Sequence, residues 1–177
     1  MSNTRCWTKH MITVGIDPGY ERLGLAVVKT GVSQRDELLY STCFITPRAS
    51  SFPERLKQLA TGIEGVLRKY QPDILAIEEL FFSGNQKTAM KVSEVRGMII
   101  YLGVCARVTI INITPLQVKM SLTGYGRASK SQVSTMVDKL VHVPAGARPD
   151  DEYDAIAIAL AGALRARPTL IHTQTRQ

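Results

Sequence analysis

The sequence has no long uninterrupted hydrophobic run and few cysteines. Its longest apolar stretch, 155–164, is rich in alanine and well short of the ~18 residues that a membrane-spanning helix needs. Cys6, Cys43 and Cys105 are odd in number and form no CxxC pair, which argues against a disulfide framework or a zinc site and favours reduced thiols in a cytoplasm. Residues 1–10 lack the apolar core of a secretory signal, and we expect them to form a disordered arm.

Internal repeats, low-complexity tracts and linkers are also missing from the sequence. A chain of 177 residues without a linker is expected to fold as one domain, which we place at 11–167. Residues 168–177 follow the last predicted helix, and we expect them to be a disordered tail.

Positive charge is in excess, with 22 Lys and Arg against 15 Asp and Glu and a net charge of +7. A polyanionic partner such as nucleic acid would explain this excess, although an ordinary basic protein is the alternative. The acids nevertheless gather at a few element boundaries. Acids gathered at one site in a basic chain suit an enzyme that binds the phosphates of its substrate with Lys and Arg. Such an enzyme would use a metal ion at the phosphate that reacts.

Hydrophobic periodicity predicts an α/β fold. The predicted strands are 12–16, 23–29, 38–46, 74–77 and 109–113, and the predicted helices begin near residues 52, 88, 115, 129 and 150. The first three strands have short connections and form an antiparallel meander, and the rest follow as βαβαβ crossovers. We therefore predict a five-stranded mixed sheet with helices on both faces.

Carboxylates stand at the ends of three predicted elements. Asp17 follows the first strand, and Glu78 with Glu79 ends the fourth. Asp151 and Asp154 are spaced i, i+3 and share one face of the last helix. If strands one and four are neighbours and this helix crosses their ends, the acids converge at the edge where open α/β sheets place their sites. Converging carboxylates need cations, and Mg²⁺ prefers oxygen ligands.

Each group of acids also has an ordinary structural explanation. Asp17 opens an Asp-Pro-Gly turn, and Glu78 and Glu79 could be the solvated end of a strand. Asp151 and Asp154 could serve only the helix dipole. These explanations hold singly, but the joint placement favours a metal site.

Four motifs in order resemble the RuvC family of Holliday (crossover) junction endonucleases, in the RNase H-like superfamily. They are GIDPG at 15–19, AIEELF at 76–81, QVK at 117–119 with KSQV at 130–133, and DEYDAIAIA at 151–159. The resemblance runs from about residue 12 to residue 163. It implies an RNase H-like fold and an enzyme that resolves four-way junctions by paired symmetric nicks in DNA recombination and repair.

The resemblance also implies site residues and a cofactor. Asp17, Glu78, Asp151 and Asp154 would be the catalytic acids and hold two Mg²⁺ ions, with Mn²⁺ as another option. Some relatives have His where Asp151 stands, and Asp keeps the site all-oxygen, which suits these hard ions. Spacing alone leaves Glu79 open as the second-motif acid.

DNA-binding residues follow from the same resemblance. Lys119 and Lys130 would contact phosphates near the metals, and Phe81 matches an aromatic that stacks on bases, although Phe82 is adjacent. Tyr125 and Arg127 lie in a glycine-rich loop that either follows the DNA backbone or is a plain surface loop.

Partners are implied as well: a homodimer, and the branch-migration proteins RuvA and RuvB. The helix predicted at 88–106 is apolar over more than half its circumference, which fits either full burial within one subunit or a dimer face.

Three rival functions are weighed against this hypothesis. An RNase H-like nuclease acting on RNA or flaps would share the acids, and a non-catalytic junction-binding protein would have lost one of them. An actin-like ATPase or sugar kinase needs a second phosphate-binding strand of the GxDxG type, and none is visible.

Overall fold

A mixed sheet lies at the centre of the protein. This computed structural model describes residues 10–31, 36–79, 86–143 and 148–172, with the backbone alone over 167–172. The strands are β1 (Met11–Asp17), β2 (Arg22–Thr30), β3 (Glu37–Ile45), β4 (Ile74–Glu78) and β5 (Thr109–Ile113). The helices are α1 (Phe52–Tyr70), α2 (Gln86–Cys105), α3 (Pro115–Thr123), α4 (Lys130–Leu140) and α5 (Asp150–His172).

The strand order in the sheet is β3-β2-β1-β4-β5. β1, β2 and β3 pair antiparallel, as short connections require, while β4 joins β1 in parallel and β5 joins β4 in parallel. The predicted fold class is confirmed, including the meander, the crossovers and the neighbouring positions of β1 and β4.

Both faces of the sheet are covered. β2 shows why, because its side chains alternate between the two sides with a period of two. Leu23, Leu25 and Val27 pack with α1 and α2, whereas Ala26 and Val28 pack with α3, α4 and α5. A strand buried on both faces must be apolar throughout, as β2 is over most of its length.

α1 illustrates how local sequence sets an element. The carboxylate of Glu54 accepts hydrogen bonds from the backbone N–H and the hydroxyl of Ser51, both at 2.8 Å, so the first turn is capped. Leu59 and Ile63 lie four residues apart on its buried face. The helix ends where Gln71 adopts a left-handed conformation with φ 44°.

α5 lies unusually close to the strands because both sides carry small residues. A Cβ added to Gly24 would collide with the carbonyl oxygen of Asp151, and one added to Gly15 would collide with backbone atoms of Ala155 and Ala159. Glycine is required at both positions because no side chain fits between helix and sheet. This close approach fixes the first turns of α5 directly over the ends of β1 and β2.

The end of α5 differs from the prediction. The helix extends to His172, beyond the predicted end near Arg167. Pro168 lacks a backbone N–H, which leaves the carbonyl of Leu164 without its helical partner but does not stop the chain from continuing in helical conformation. The predicted arm lies outside the described residues except for residue 10, as does the tail beyond His172.

No helix within the described ranges is long and apolar enough to cross a bilayer. Of the cysteines, Cys43 and Cys105 are free thiols, and Cys6 lies outside the described part of the chain.

Candidate active site

Two acids meet at the carboxyl ends of the central parallel strands. β1 and β4 pair with Ile16 beside Ile77, so Asp17 and Glu78 are the next residues along two neighbouring strands. Burial raises the pKa of Glu78, and the neighbouring charge of Asp17 raises it further. Glu79 lies just beyond the strand, where its N–H donates to the carbonyl of Ile113 at 2.8 Å. The geometry therefore associates Glu78 with Asp17.

The first two turns of α5 bring the other pair of acids. Asp151 lies over Gly24, and Asp154 follows one turn later on the same side of the helix. Both carboxylates raise the pKa of Asp17, and Asp154 also raises that of Glu78. The structure thus brings all four predicted acids into one electrostatic cluster.

The cluster is costly in its ionised form. Burial raises the pKa of Asp17 to about 6, with further contributions from Asp154 and Asp151 and a smaller opposing one from Lys130. Burial likewise raises the pKa of Glu78 to about 7, helped by the charges of Asp17 and Asp154. Carboxylates held together in a partly dry place resist losing their protons unless a cation compensates.

Two basic side chains supply part of that compensation. Arg22 donates from Nε at 2.8 Å and from a terminal nitrogen at 2.5 Å to the same oxygen, Oδ2 of Asp151. Nζ of Lys130 lies 3.0 Å from Oδ2 of Asp154 and 3.3 Å from Oδ2 of Asp150. The predicted residue Lys130 is therefore at the site, and Arg22 joins it.

A buried ionic network anchors the start of α5 to β3. The carboxylate oxygen Oε1 of Glu152 accepts from the guanidinium of Arg148 at 2.7 Å and from the hydroxyl of Ser41 at 2.5 Å. The same guanidinium nitrogen lies 2.6 Å from the Ser41 hydroxyl, and Glu152 is only 8% exposed. Because Glu152 stands between the two helix acids in the chain, this network helps to set their direction.

Sequence reasoning missed several of these residues. In the sequence Arg22 directly precedes an apolar strand and has no pattern that indicates a role, and the spacing of Cys43 bears only on disulfides and zinc. The sulfur of Cys43 lies 3.9 Å from Oδ2 of Asp151. Burial is the main cause that raises the pKa of the Cys43 thiol, and the charge of Asp151 raises it further. An available signal for Arg22 was its position five residues after Asp17, at the far end of the turn that begins with Pro18-Gly19.

The donor set of the cluster fits a divalent cation. Asp17, Glu78, Asp151 and Asp154 offer only oxygen, the donor that Mg²⁺ and Mn²⁺ prefer. Burial and the neighbouring carboxylates raise the pKa of Asp17 and Glu78, and a bound cation would favour their ionised forms. Within the described ranges no three acidic, His or Cys side chains already surround a single point in ligating geometry. The residues present fit the ion chemically, and their side chains would have to turn toward it.

The other predicted DNA-binding residues lie at varying distances from this cluster. Lys119 is half-buried on α3, and across the described part of the chain no hydrogen bond or ion pair joins its ammonium to the four acids. Tyr125 and Arg127 are exposed in the loop between α3 and α4, where the N–H of Tyr125 donates to the Thr123 hydroxyl. Phe81 and Phe82 lie outside the described residues.

Comparisons with known proteins agree with the fold. The family model "Crossover junction endodeoxyribonuclease RuvC" matches residues 13–162. Proteins of that name from Desulforamulus reducens and Ruminiclostridium cellulolyticum are 39% and 41% identical over 150 residues, covering 85% of this chain and 91% and 90% of the relatives. A structure of Thermus thermophilus RuvC in complex with Holliday junction substrate superposes with a TM-score of 0.85 at 34% identity, covering 91% of this chain and 98% of that one.

The fold and its acid cluster define an RNase H-like domain. Within that class, the family match and the identities over most of its length show that the chain belongs to the RuvC family of crossover junction endodeoxyribonucleases.

Proposed function

We propose that this protein resolves four-way DNA junctions by symmetric hydrolysis of phosphodiester bonds in two opposing strands. The observation that carries the proposal is the convergence of Asp17, Glu78, Asp151 and Asp154 on one edge of an RNase H-like sheet, in a chain of the RuvC family. A net charge of +7 suits a polyanionic substrate.

The strands and α5 would contribute mainly by holding the four acids in position. Asp17 and Glu78 stand at the ends of buried strands, and α5 is pressed onto the sheet at Gly24, so the backbone that carries the four acids is held before the substrate arrives. Because the pKa of Glu78 is about 7, its carboxyl group is only partly ionised near neutral pH. It is thus ready to become ionised when positive charge enters the cluster.

The four acids would hold divalent ions, two per site, with Mg²⁺ as the expected ion and Mn²⁺ as the alternative. When bound, such ions activate a water molecule and stabilise the leaving oxygen of a phosphodiester. Lys130 adds a cation at the rim of the cluster, 55% exposed, where its ammonium can contact a phosphate of the substrate. Lys119, Arg127 and Tyr125 extend the proposed DNA surface along α3 and the loop that follows it.

A cleavage assay tests the proposal. The wild-type protein and Asp17→Asn would be incubated with a labelled four-way junction and a matched linear duplex, in Mg²⁺ or in EDTA. We expect paired nicks in the junction strands with Mg²⁺ only, and at least ~10³-fold slower cleavage by the variant with junction binding retained. Equal cleavage of the duplex, or full activity in EDTA, would contradict the proposal.

The rival functions separate in the same assay. Tight junction binding by the wild type without cleavage in Mg²⁺ or Mn²⁺ would indicate a non-catalytic binder. Cleavage of an RNA–DNA hybrid or a flap in preference to the junction would indicate another RNase H-like nuclease. Family membership favours the junction.

A homodimer is part of the proposal. On α2, Val95, Ile99 and Leu102 are buried, so one side of the helix belongs to the core of the subunit. On another side Met90, Tyr101 and Val104 are 65%, 66% and 62% exposed, a spacing of eleven and three residues that keeps them on one face. Full burial within one subunit is therefore not observed, and a two-fold partner would cover this face.

The oligomeric state tests this part separately. Tyr101→Glu places a charge in the centre of the exposed α2 face, and we expect it to shift the protein from dimer to monomer in analytical ultracentrifugation. The monomer would nick one strand of the junction at a time, without a paired nick in the opposing strand. Gln58→Glu, on the exposed side of α1, is a control that makes the same change of one negative charge. A wild-type protein that is monomeric at micromolar concentration would contradict the dimer.

We also predict that the protein acts with RuvA and RuvB and that it is located in the cytoplasm. Co-sedimentation of the wild-type protein with RuvA-bound junctions tests the first.

A further inference from the structure

Arg22 contacts the acid cluster through a single carboxylate oxygen. Two of its nitrogens converge on the single oxygen Oδ2 of Asp151, at 2.8 and 2.5 Å. A guanidinium normally binds a carboxylate by pairing two nitrogens with two oxygens. Here it covers one oxygen from two directions, on an acid that belongs to the proposed ion-binding cluster. The positive charge thus lies on one of the two oxygens that this carboxylate could offer to a divalent ion.

The contact has little value as a structural support. The side chains of Arg22 and Asp151 are 48% and 26% exposed, and exposed ion pairs contribute little to folding. The start of α5 is already anchored by the buried Glu152 network. A role for Arg22 is therefore better sought in what it does at the site.

Lys130 provides an instructive contrast. Its ammonium lies between Asp154 and Asp150, so it keeps one carboxylate partner if Asp154 turns toward an ion. Within the described part of the chain, Arg22 hydrogen-bonds to Asp151 alone among the acids. If Asp151 turns away, the guanidinium keeps its charge and its exposure but loses its partner. It would then lie beside the cluster, at the end of β1 where the reacting phosphate is expected.

We propose that Arg22 binds a phosphate of the junction, and that Asp151 holds its guanidinium until a divalent ion binds. In the ion-free protein it stands in for a cation on that carboxylate, and when a divalent ion takes Asp151 it moves to a phosphate of the junction next to the cleavage site. Arginine suits this exchange because its planar fork of donors fits carboxylate and phosphate alike. The inference rests on the proposed function of the cluster, since it needs both an ion and a DNA phosphate there.

Two measurements on the full-length protein test the exchange, each with a readout other than cleavage. The first is Mn²⁺ binding without DNA, followed by electron paramagnetic resonance. Arg22→Gln removes the competing cation, and we expect it to tighten Mn²⁺ binding by about two- to fivefold, the range for a partly exposed ion pair. Arg22→Lys keeps the charge and should bind Mn²⁺ nearly as the wild type does.

The second measurement is the dependence of junction affinity on salt, in Ca²⁺ and in EDTA. Losing one phosphate contact lowers the slope of log affinity against log salt by about one. For Arg22→Gln we expect this decrease in Ca²⁺ and no change in EDTA, because without an ion the arginine stays on Asp151. Arg68→Gln is the matched control, since Arg68 forms an exposed pair with Glu64 at 2.9 Å on α1 and should behave as wild type throughout.

Unchanged or weaker Mn²⁺ binding by Arg22→Gln would overturn the proposal, as would the same slope change in EDTA as in Ca²⁺. Failure of the underlying function is a different result. In that case the wild-type protein itself would bind no Mn²⁺ or show no preference for the junction.

Discussion

The two faces of the sheet are packed in different ways. Opposite the site, α1 and α2 bury large side chains such as Leu59, Ile63 and Ile99, as most helix–sheet interfaces do. On the site face, α5 approaches the strands through small residues, with Gly15 and Gly24 lying directly against its backbone. Large side chains tolerate small shifts by changing rotamer, but a backbone resting on a glycine cannot move closer or turn.

The difference indicates a division of labour. The α1 and α2 face supplies hydrophobic stabilisation, and the α5 face supplies position for the acids. Mutations on the first should change the free energy of unfolding with little effect on chemistry. Mutations on the second should slow cleavage in addition to any loss of stability, and the following predictions test that contrast.

Among the variants that compare the two faces, Gly24→Ala should have the largest effect on activity. The added methyl would meet the carbonyl of Asp151, so α5 must move away by an ångström or so and carry its acids with it. We expect cleavage to fall by about 100-fold, since misplacement of this size is costly in catalysis. The control is Gly62→Ala on the other face, whose methyl would meet the Phe44 ring at 2.7 Å. Equal rates for the two variants in single-turnover cleavage would contradict the idea that only the α5 face positions the acids.

Ile63→Ala and Ile156→Ala compare the two faces directly. Both side chains are fully buried, one in α1 and one in α5, and each truncation should lower the free energy of unfolding by about 2–5 kcal/mol. Urea denaturation measures this loss. At temperatures where both variants are folded, Ile63→Ala should cleave at the wild-type rate and Ile156→Ala more slowly. A slow Ile63→Ala would show that the α1 face also sets the site.

Glu152→Gln tests the network that fixes the start of α5. The amide keeps the size of the side chain but removes the charge that Arg148 and Ser41 share, at a cost of about 1–3 kcal/mol. Because Asp151 and Asp154 flank this residue, a higher Mg²⁺ concentration should be needed for half-maximal cleavage. Glu64→Gln, which breaks an exposed pair with Arg68, should leave that concentration unchanged. A stability loss without a shift in Mg²⁺ requirement would make the network purely structural.

The smallest predicted effect is a pH dependence of stability in EDTA. Asp17 and Glu78 titrate at about 6 and 7 in the folded protein, against 3.8 and 4.5 ordinarily. The folded state therefore binds more protons between about pH 4 and pH 7, so stability falls as the pH rises through that window. After allowance for solvent screening we expect a contribution of roughly 1–2 kcal/mol.

Asp17→Asn isolates this contribution, because the variant has one titrating acid fewer in the cluster and relieves the charge on Glu78. Its stability should fall less steeply than that of the wild type in urea titrations at pH 5 and pH 8. Identical pH profiles would mean that the cluster is better solvated than the structure indicates.

Much of the fold was predictable because it depends on local patterns. The apolar run of β4 and the three- and four-residue spacing in α1 predicted their elements to within about a residue, and β5 matched at both ends. The meeting of Asp17 and Glu78 at one edge of the sheet could be predicted because each ends an apolar strand.

Other features could not be predicted because they depend on distant parts of the chain. Arg22 and Asp151 are separated by 129 positions, and Ser41 and Glu152 by 111. Neither pair has a local pattern that indicates the contact. The requirement for glycine at Gly24 likewise exists only because α5 lies over it.

The most direct test of the account is a calorimetric titration of Mn²⁺ into the DNA-free protein at pH 6.5, in buffers of different ionisation enthalpy, with Asp154→Asn alongside. The account predicts binding by the wild type with release of protons, since Asp17 and Glu78 are partly protonated at that pH and must ionise to hold the ion. It predicts binding at least about tenfold weaker by the variant. Mn²⁺ binding that is equally tight in Asp154→Asn, or that releases no protons, would contradict a metal site built from these four acids.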